Sequence, residues 1–148
     1  MHRIKIADQQ QRLTFDRPRL RQAVKAVLQG EGISKAQICV AIVDDPQIHE
    51  LNRRFLNHDE PTDVLSFALE QRSGYVEGEI VVSADTAASR AGEFNWPPED
   101  ELLLYVVHGT LHLAGYDDKT PELRGEMRRL ERHYLGAFGL VPPYDDGC

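Results

Sequence analysis

The spacing of apolar residues along the chain predicts nine secondary-structure elements. Alternation over residues 2–6 and apolar runs over residues 37–43, 64–69 and 77–83 are typical of β-strands. Apolar residues three and four positions apart predict helices that begin near residues 17, 45, 84, 98 and 121. The resulting order, β α β α β β α α α, predicts an α+β fold in which a small mixed sheet of about four strands packs with about five helices.

The chain is expected to form one domain over residues 1–138, followed by a C-terminal tail over residues 139–148. Its 148 residues are a usual length for a single domain. Pro142 and Pro143 predict that the tail is frayed. The run at 37–43 is expected to be a well-buried strand, with Cys39 as a small buried hydrophobe.

Composition narrows the class of protein. Hydrophobic residues make up 41% and charged residues 28%, which is typical of globular proteins. The longest apolar run, at 102–107, has six residues, whereas a membrane helix needs about 20. The first residues lack the apolar segment of a secretory signal, and two cysteines make no disulfide framework. We therefore expect a reduced, cytoplasmic protein without a membrane partner.

Charge is unevenly distributed. The net charge is −7, which argues against an extended nucleic-acid surface. Residues 1–35, however, carry eight basic and three acidic side chains. This segment could form a face for an anionic ligand, or it could be an ordinary solvated helix face.

A short motif carries the strongest chemical signal. His108 and His112 are four residues apart, so they share one face of the predicted helix and could bind one metal ion. Gly115 permits the chain to reverse, which could bring Asp118 back as a third ligand. Three protein ligands leave a fourth position open, as in catalytic sites. We expect one zinc ion, with other divalent transition metals as alternatives.

The residue after the first histidine bears on the reaction. Zinc peptidases with two helical histidines place a glutamate there as general base, and this chain has Gly109. This argues against proteolysis, and no residue is identified as the general base.

Three ordered blocks resemble a known family. Residues 108–118 resemble the H-G-x-L-H-L-x-G-Y-D-H signature of the YbeY-type rRNA maturation endoribonucleases. Residues 51–52 with 61–67 and residues 78–83 resemble the family's L-N…T-D-V-L-S-F and G-D/E-I-x-I-S segments. The resemblance covers about residues 1–138. It implies a cytoplasmic, metal-dependent, single-strand-specific endoribonuclease in small-subunit rRNA maturation and ribosome quality control.

Two positions depart from the family pattern. Asp118 stands where the family has its third histidine, and Leu56 stands where the family usually has an arginine thought to hold phosphate. Arg53 or Arg54, one turn earlier, could replace that arginine. Ser66, in the second matched block, is a candidate substrate contact or a packing residue.

We therefore predict a metal-dependent hydrolase of single-stranded ribosomal RNA, acting with ribosomal proteins or the small ribosomal subunit. RNA would approach beside residues 64–69. Two alternatives are kept. One is a metallopeptidase-like hydrolase. The other is a non-enzymatic ribosome-associated factor with a structural metal, for which His58 could fill the fourth position.

Overall fold

The computed structural model describes residues 1–144, which form five helices and one four-stranded sheet. In chain order the elements are β1 (His2–Asp8), α1 (Arg17–Gly30), β2 (Lys35–Val43), α2 (Asp45–Leu56), β3 (Val64–Arg72), β4 (Tyr75–Ser83), α3 (Ala84–Phe94), α4 (Pro98–Leu113) and α5 (Pro121–Gly136). The predicted α+β class and element order are confirmed. Within residues 1–144, no helix is both long enough and apolar enough to cross a bilayer.

Local sequence explains where the helices begin. Four helix starts have a side-chain oxygen that accepts a hydrogen bond from a backbone N–H three residues on, which satisfies an otherwise unpaired donor. The capping residues are Asp16, Asp44, Ser83 and Thr120. The fifth helix, α4, begins instead with Pro98, whose fixed φ suits a first turn.

The sheet is mixed, with strand order β1-β2-β4-β3. Strands β1, β2 and β4 run parallel, while β3 pairs antiparallel with β4. The turn between β3 and β4 is shorter than the gap between the apolar runs at 64–69 and 77–83, because β3 continues to Arg72 and the chain reverses at Gly74 with φ +75°.

Helix α4 lies at the centre of the fold. It packs against α1, α3, α5, β3 and β4, and eleven of its residues are buried. Its apolar run at 102–107 is therefore a core helix. This central position holds the two histidines near its C-terminal end against the rest of the domain.

The sheet is covered unequally on its two faces, which corrects the prediction for β2. Ile38, Val40 and Ile42 face the helical layer and are buried, whereas Cys39 is half-buried on the opposite face. Within residues 1–144, only α2 packs on that opposite face, over the C-terminal end of β2, where Val43 joins a small second cluster. Because α2 covers only part of this face, alternate residues of β2 remain accessible to solvent.

The prediction of a frayed tail is wrong as far as Tyr144. Pro142 is buried, and the Tyr144 ring packs on the main core cluster below the Arg128 guanidinium, 4.8 Å from the ring centre. The rest of the predicted tail, residues 145–148, lies outside the described residues.

Candidate metal centre

Three side chains converge at the end of α4. The Nε2 atoms of His108 and His112 are 3.0 Å apart, and the Asp118 Oδ2 atom lies 3.4 Å and 3.5 Å from them. Within residues 1–144 this is the one group of His, Cys, Asp and Glu side chains with ligand atoms close enough for a single metal ion. His58 is not a member of it.

The helix and its C-terminal turn bring the three groups together. One helical turn separates the two histidines, so their rings stack edge to face, 4.6 Å apart. At the end of the helix, the Tyr116 N–H donates a hydrogen bond of 3.0 Å to the Leu111 carbonyl, and Gly115 has φ +110°. That positive φ reverses the chain and carries Asp118 back toward the histidines.

The second nitrogen of each imidazole fixes the ring's orientation. His108 Nδ1 lies 2.5 Å from Glu131 Oε2, and His112 Nδ1 lies 3.0 Å from the Tyr116 carbonyl oxygen. A carbonyl and a carboxylate only accept, so both Nδ1 atoms donate. This leaves each Nε2 lone pair directed at the cluster, which is the arrangement that metal-binding histidines adopt.

The donor set fits a divalent metal. The lone pairs of two Nε2 atoms 3.0 Å apart repel each other and the nearby carboxylate oxygen. This arrangement is stable only when a cation or a proton lies between the atoms. Tetrahedral zinc with bonds of about 2.0–2.1 Å separates its ligands by roughly 3.4 Å, close to the spacings found. The side chains of the three residues are 22%, 27% and 38% exposed, so solvent reaches the cluster.

Without a metal, a proton occupies this position. Burial acts to lower the pKa of His108, but hydrogen bonds to Asp118 and Glu131 outweigh it and raise the pKa to about 9. The hydrogen bond from His108 lowers the pKa of Asp118 to about 2, against the opposing effect of burial. The carboxylate is therefore ionised at neutral pH, and a metal must displace the proton of His108.

Glu131 is a residue of the cluster's surroundings that the sequence did not single out. It is 4% exposed, and its second oxygen accepts a hydrogen bond of 2.8 Å from the Tyr144 hydroxyl. It belongs to α5 and lies 23 residues beyond His108. The available signal was a charged residue on the apolar face of α5, beside Met127 and Leu130.

The packing around Gly109 explains why no glutamate can follow the first histidine. A Cβ atom there would lie 2.6 Å from Ile80 Cγ2 and 3.1 Å from Ser66 Oγ. Helix α4 therefore approaches the sheet too closely for a side chain. The position used for the general base in zinc peptidases is closed, which disfavours the peptidase alternative.

A cavity opens beside the cluster, between α3 and α5, and we call it the α3–α5 cavity. Its volume is about 240 Å³, and His108 and Asp118 form part of its wall. Other wall residues include Arg90 and Phe94 from α3 and Arg124 from α5, none of which sequence analysis singled out.

The predicted substrate contacts lie elsewhere. The Ser66 hydroxyl donates to the Gly109 carbonyl, 3.1 Å away, which joins β3 to α4. Arg53 makes two hydrogen bonds to Glu50, at 2.7 Å and 2.8 Å, and Arg54 lies over the Phe55 ring. None of these residues lines the α3–α5 cavity.

The basic N-terminal segment is partly engaged within the fold. Arg17 and Arg21 donate to backbone carbonyls of β1, and Arg19 pairs with Asp100 at 3.0 Å. These contacts attach α1 to β1 and α4. They favour the structural interpretation of this charge over an anion-binding face.

Several known proteins similar to this chain have the same name. The family model described as Endoribonuclease YbeY matches residues 5–139. Endoribonuclease YbeY of Rhodopirellula baltica is 48% identical over 129 residues, 86% of this chain and 66% of that protein. The protein of the same name from Salinibacter ruber is 42% identical over 136 residues, 86% of this chain and 87% of the relative.

A solved structure is also similar to this chain. The solution structure of TM1509 from Thermotoga maritima matches with a TM-score of 0.61 and 32% identity. The match covers 98% of this chain and 96% of that one.

Proposed function

Because the chain belongs to the Endoribonuclease YbeY family, we propose that it is a metal-dependent endoribonuclease that cleaves single-stranded RNA in small-subunit rRNA maturation and ribosome quality control. The observation that carries the proposal is the convergence of His108, His112 and Asp118 at a solvent-accessible cavity. Ribosomal RNA is the substrate proposed, with ribosomal proteins or the small subunit as partners in the cytoplasm.

In this proposal the three clustered side chains hold one zinc ion, or another divalent transition metal, and leave one side open. Such an ion, when bound, acidifies water and offsets negative charge on a phosphodiester. Glu131 and the Tyr116 carbonyl keep both Nε2 atoms directed at the ion. Asp118 is ionised at neutral pH and contributes one negative charge.

Two sets of side chains are proposed to contact the RNA backbone from β3 and α2. Ser66 lies on β3, and its hydroxyl oxygen can still accept a hydrogen bond. Arg53 and Arg54 lie in the last turn of α2, where the neighbouring Leu56 is 48% exposed and offers no charge. A double change of both arginines to alanine should reduce the salt dependence of log K by about 0.7 for each phosphate that the variant no longer neutralises.

The central experiment combines metal analysis with an RNA cleavage assay. Purified protein should hold about one transition-metal ion per chain, and it should cleave single-stranded RNA in preference to a duplex. A chelator should abolish cleavage, and added zinc should restore it. The variant His112→Ala should lose both metal and cleavage, because two protein ligands remain.

Three results would contradict the proposal. They are protein that takes up no metal, cleavage that survives complete metal removal, or cleavage of a protein substrate without cleavage of RNA. A metal-loaded protein that binds ribosomal RNA but never cleaves it would favour the non-enzymatic alternative.

A further inference from the structure

The α3–α5 cavity combines features that suit one nucleotide of a single strand. We propose that it is a nucleotide subsite, in which a base packs against Phe94 and the adjoining phosphates contact Arg90 and Arg124. This inference rests on the proposed function, because it places the subsite beside the clustered His108 and Asp118.

Two of the arginines at the cavity, Arg90 and Arg124, retain hydrogen-bonding capacity. Arg90 is 51% exposed, and its ion pair with Asp63 is 3.6 Å long. Arg124 makes one long contact, 3.4 Å, to the backbone carbonyl of Asp118. A guanidinium carries five N–H donors, so most donors of both side chains remain for a phosphate.

The carboxylates at the cavity are, in contrast, engaged by the protein. Glu131 accepts from His108 and Tyr144, and Glu101 accepts from the Trp96 indole N–H at 2.8 Å. Asp63 accepts from the backbone N–H of Val64 at 2.8 Å. An anionic ligand is therefore favoured by the available donors of Arg90 and Arg124, and not by the net charge of a wall that also holds four carboxylates.

The cavity also has an aromatic and apolar wall. Phe94, at the end of α3, is 43% exposed, and Leu104 and Met127 also line the cavity. Single-stranded nucleic acids bind by stacking bases on such rings. A volume of about 240 Å³ suits one base, since engineered cavities of about 150 Å³ hold benzene.

One buried polar group at the cavity lacks a partner. Tyr105 is 3% exposed, and within residues 1–144 its hydroxyl makes no hydrogen bond of normal geometry, although the Glu101 carboxylate lies near it. A buried hydroxyl without a partner is costly, and the polar edge of a base could satisfy it. A base pair would present neither a free edge nor a free face, so the subsite selects unpaired RNA.

The test measures binding of a short fluorescent 2′-O-methyl RNA strand to the metal-loaded protein. Phe94→Ala should weaken binding roughly tenfold, whereas Phe94→Trp should keep it. Phe55→Ala is the matched control, because Phe55 is 60% exposed and lies outside the cavity. With an abasic strand of equal length, Phe94→Ala and the wild type should bind equally.

The arginine arm uses a control on the same helix. Arg124→Ala should weaken binding of the normal and the abasic strand alike, and lower the salt slope by about 0.7. Arg129→Ala should change neither, because Arg129 pairs with Glu126 and lies outside the cavity. Metal content and the melting temperature of each variant establish that the variant is folded.

The outcomes separate this inference from the proposed function. Wild-type protein that neither binds nor cleaves single-stranded RNA would overturn both. Wild-type protein that binds and cleaves RNA, while Phe94→Ala and Arg124→Ala bind as it does, would overturn the subsite alone. So would a drop in affinity for Phe94→Ala that is equally large on the abasic strand.

Discussion

Replacing Glu131 by glutamine should make metal affinity depend on pH in a new way. The substitution keeps the size of the side chain but removes the charge that faces His108 Nδ1 at 2.5 Å. Two effects then oppose each other. A carboxylate that accepts a hydrogen bond from a metal-binding histidine raises the metal affinity about 10- to 100-fold, and the variant loses this effect. The pKa of His108 also falls, which weakens competition by the proton.

The two effects differ in their pH range. With a pKa of about 9, His108 is protonated at pH 7, and this proton should lower the metal affinity of the proposed site about a hundredfold. Wild-type affinity should therefore rise about tenfold per pH unit between pH 7 and 9 from this proton alone. The metal affinity of the Glu131→Gln variant, in which His108 has a lower pKa, should rise less over the same pH range. We expect little difference at pH 7 and a deficit of about tenfold or more at pH 9.

Zinc competition against a chromophoric chelator at pH 7, 8 and 9 measures this directly. Glu126→Gln is the control, since Glu126 lies on the same helix and pairs with the exposed Arg129. Its affinity should follow the wild type at every pH. If the Glu131→Gln variant also follows the wild type, with the same slope, then Glu131 does not control the proton of His108, and the reasoning fails.

Three further predictions concern other parts of the site. Asp118→His should retain metal binding, and Asp118→Asn should weaken it sharply. The same change in the neighbouring residue, Asp117→Asn, should leave metal binding unchanged. If equilibrium dialysis shows that Asp117→Asn weakens binding and Asp118→Asn does not, then Asp117 is the third ligand. Tyr144→Phe should lower metal affinity by up to about tenfold, because Glu131 loses a partner; Tyr134→Phe, which removes a hydroxyl–carboxylate bond outside the cluster, should not. Gly109→Ala should cost about 1–3 kcal/mol of stability, seen as a lower melting temperature, because the added methyl group overlaps the sheet; an unchanged melting temperature would contradict this packing.

Features that depend on local spacing were predictable from the sequence. The element order follows from apolar periodicity, and Asp16 and Ser83 cap the helices where polar residues precede apolar faces. The grouping of His108 and His112 with Asp118 follows from one helical turn and a glycine reversal. Each of these depends on residues within about ten positions of one another.

Features that depend on packing between distant elements were not predictable in this way. Glu131 reaches His108 only because α5 folds back along α4, and no spacing rule relates two residues on different helices. Arg90 and Arg124 meet at one cavity for the same reason. The partial exposure of β2, including Cys39, depends on how many layers cover the sheet, which an apolar run alone does not reveal.

The hydrogen bond between Tyr144 and Glu131 also has a consequence for biosynthesis. The two histidines, the turn at Gly115 and helix α5 leave the ribosome after all four strands, and Tyr144 follows them. The proposed metal ligands are therefore exposed on the nascent chain before Glu131 and Tyr144 have been made. If the cluster binds a metal as proposed, full affinity requires that Tyr144 has emerged and packed on α5, so a product that stops short of it should bind the metal up to about tenfold more weakly.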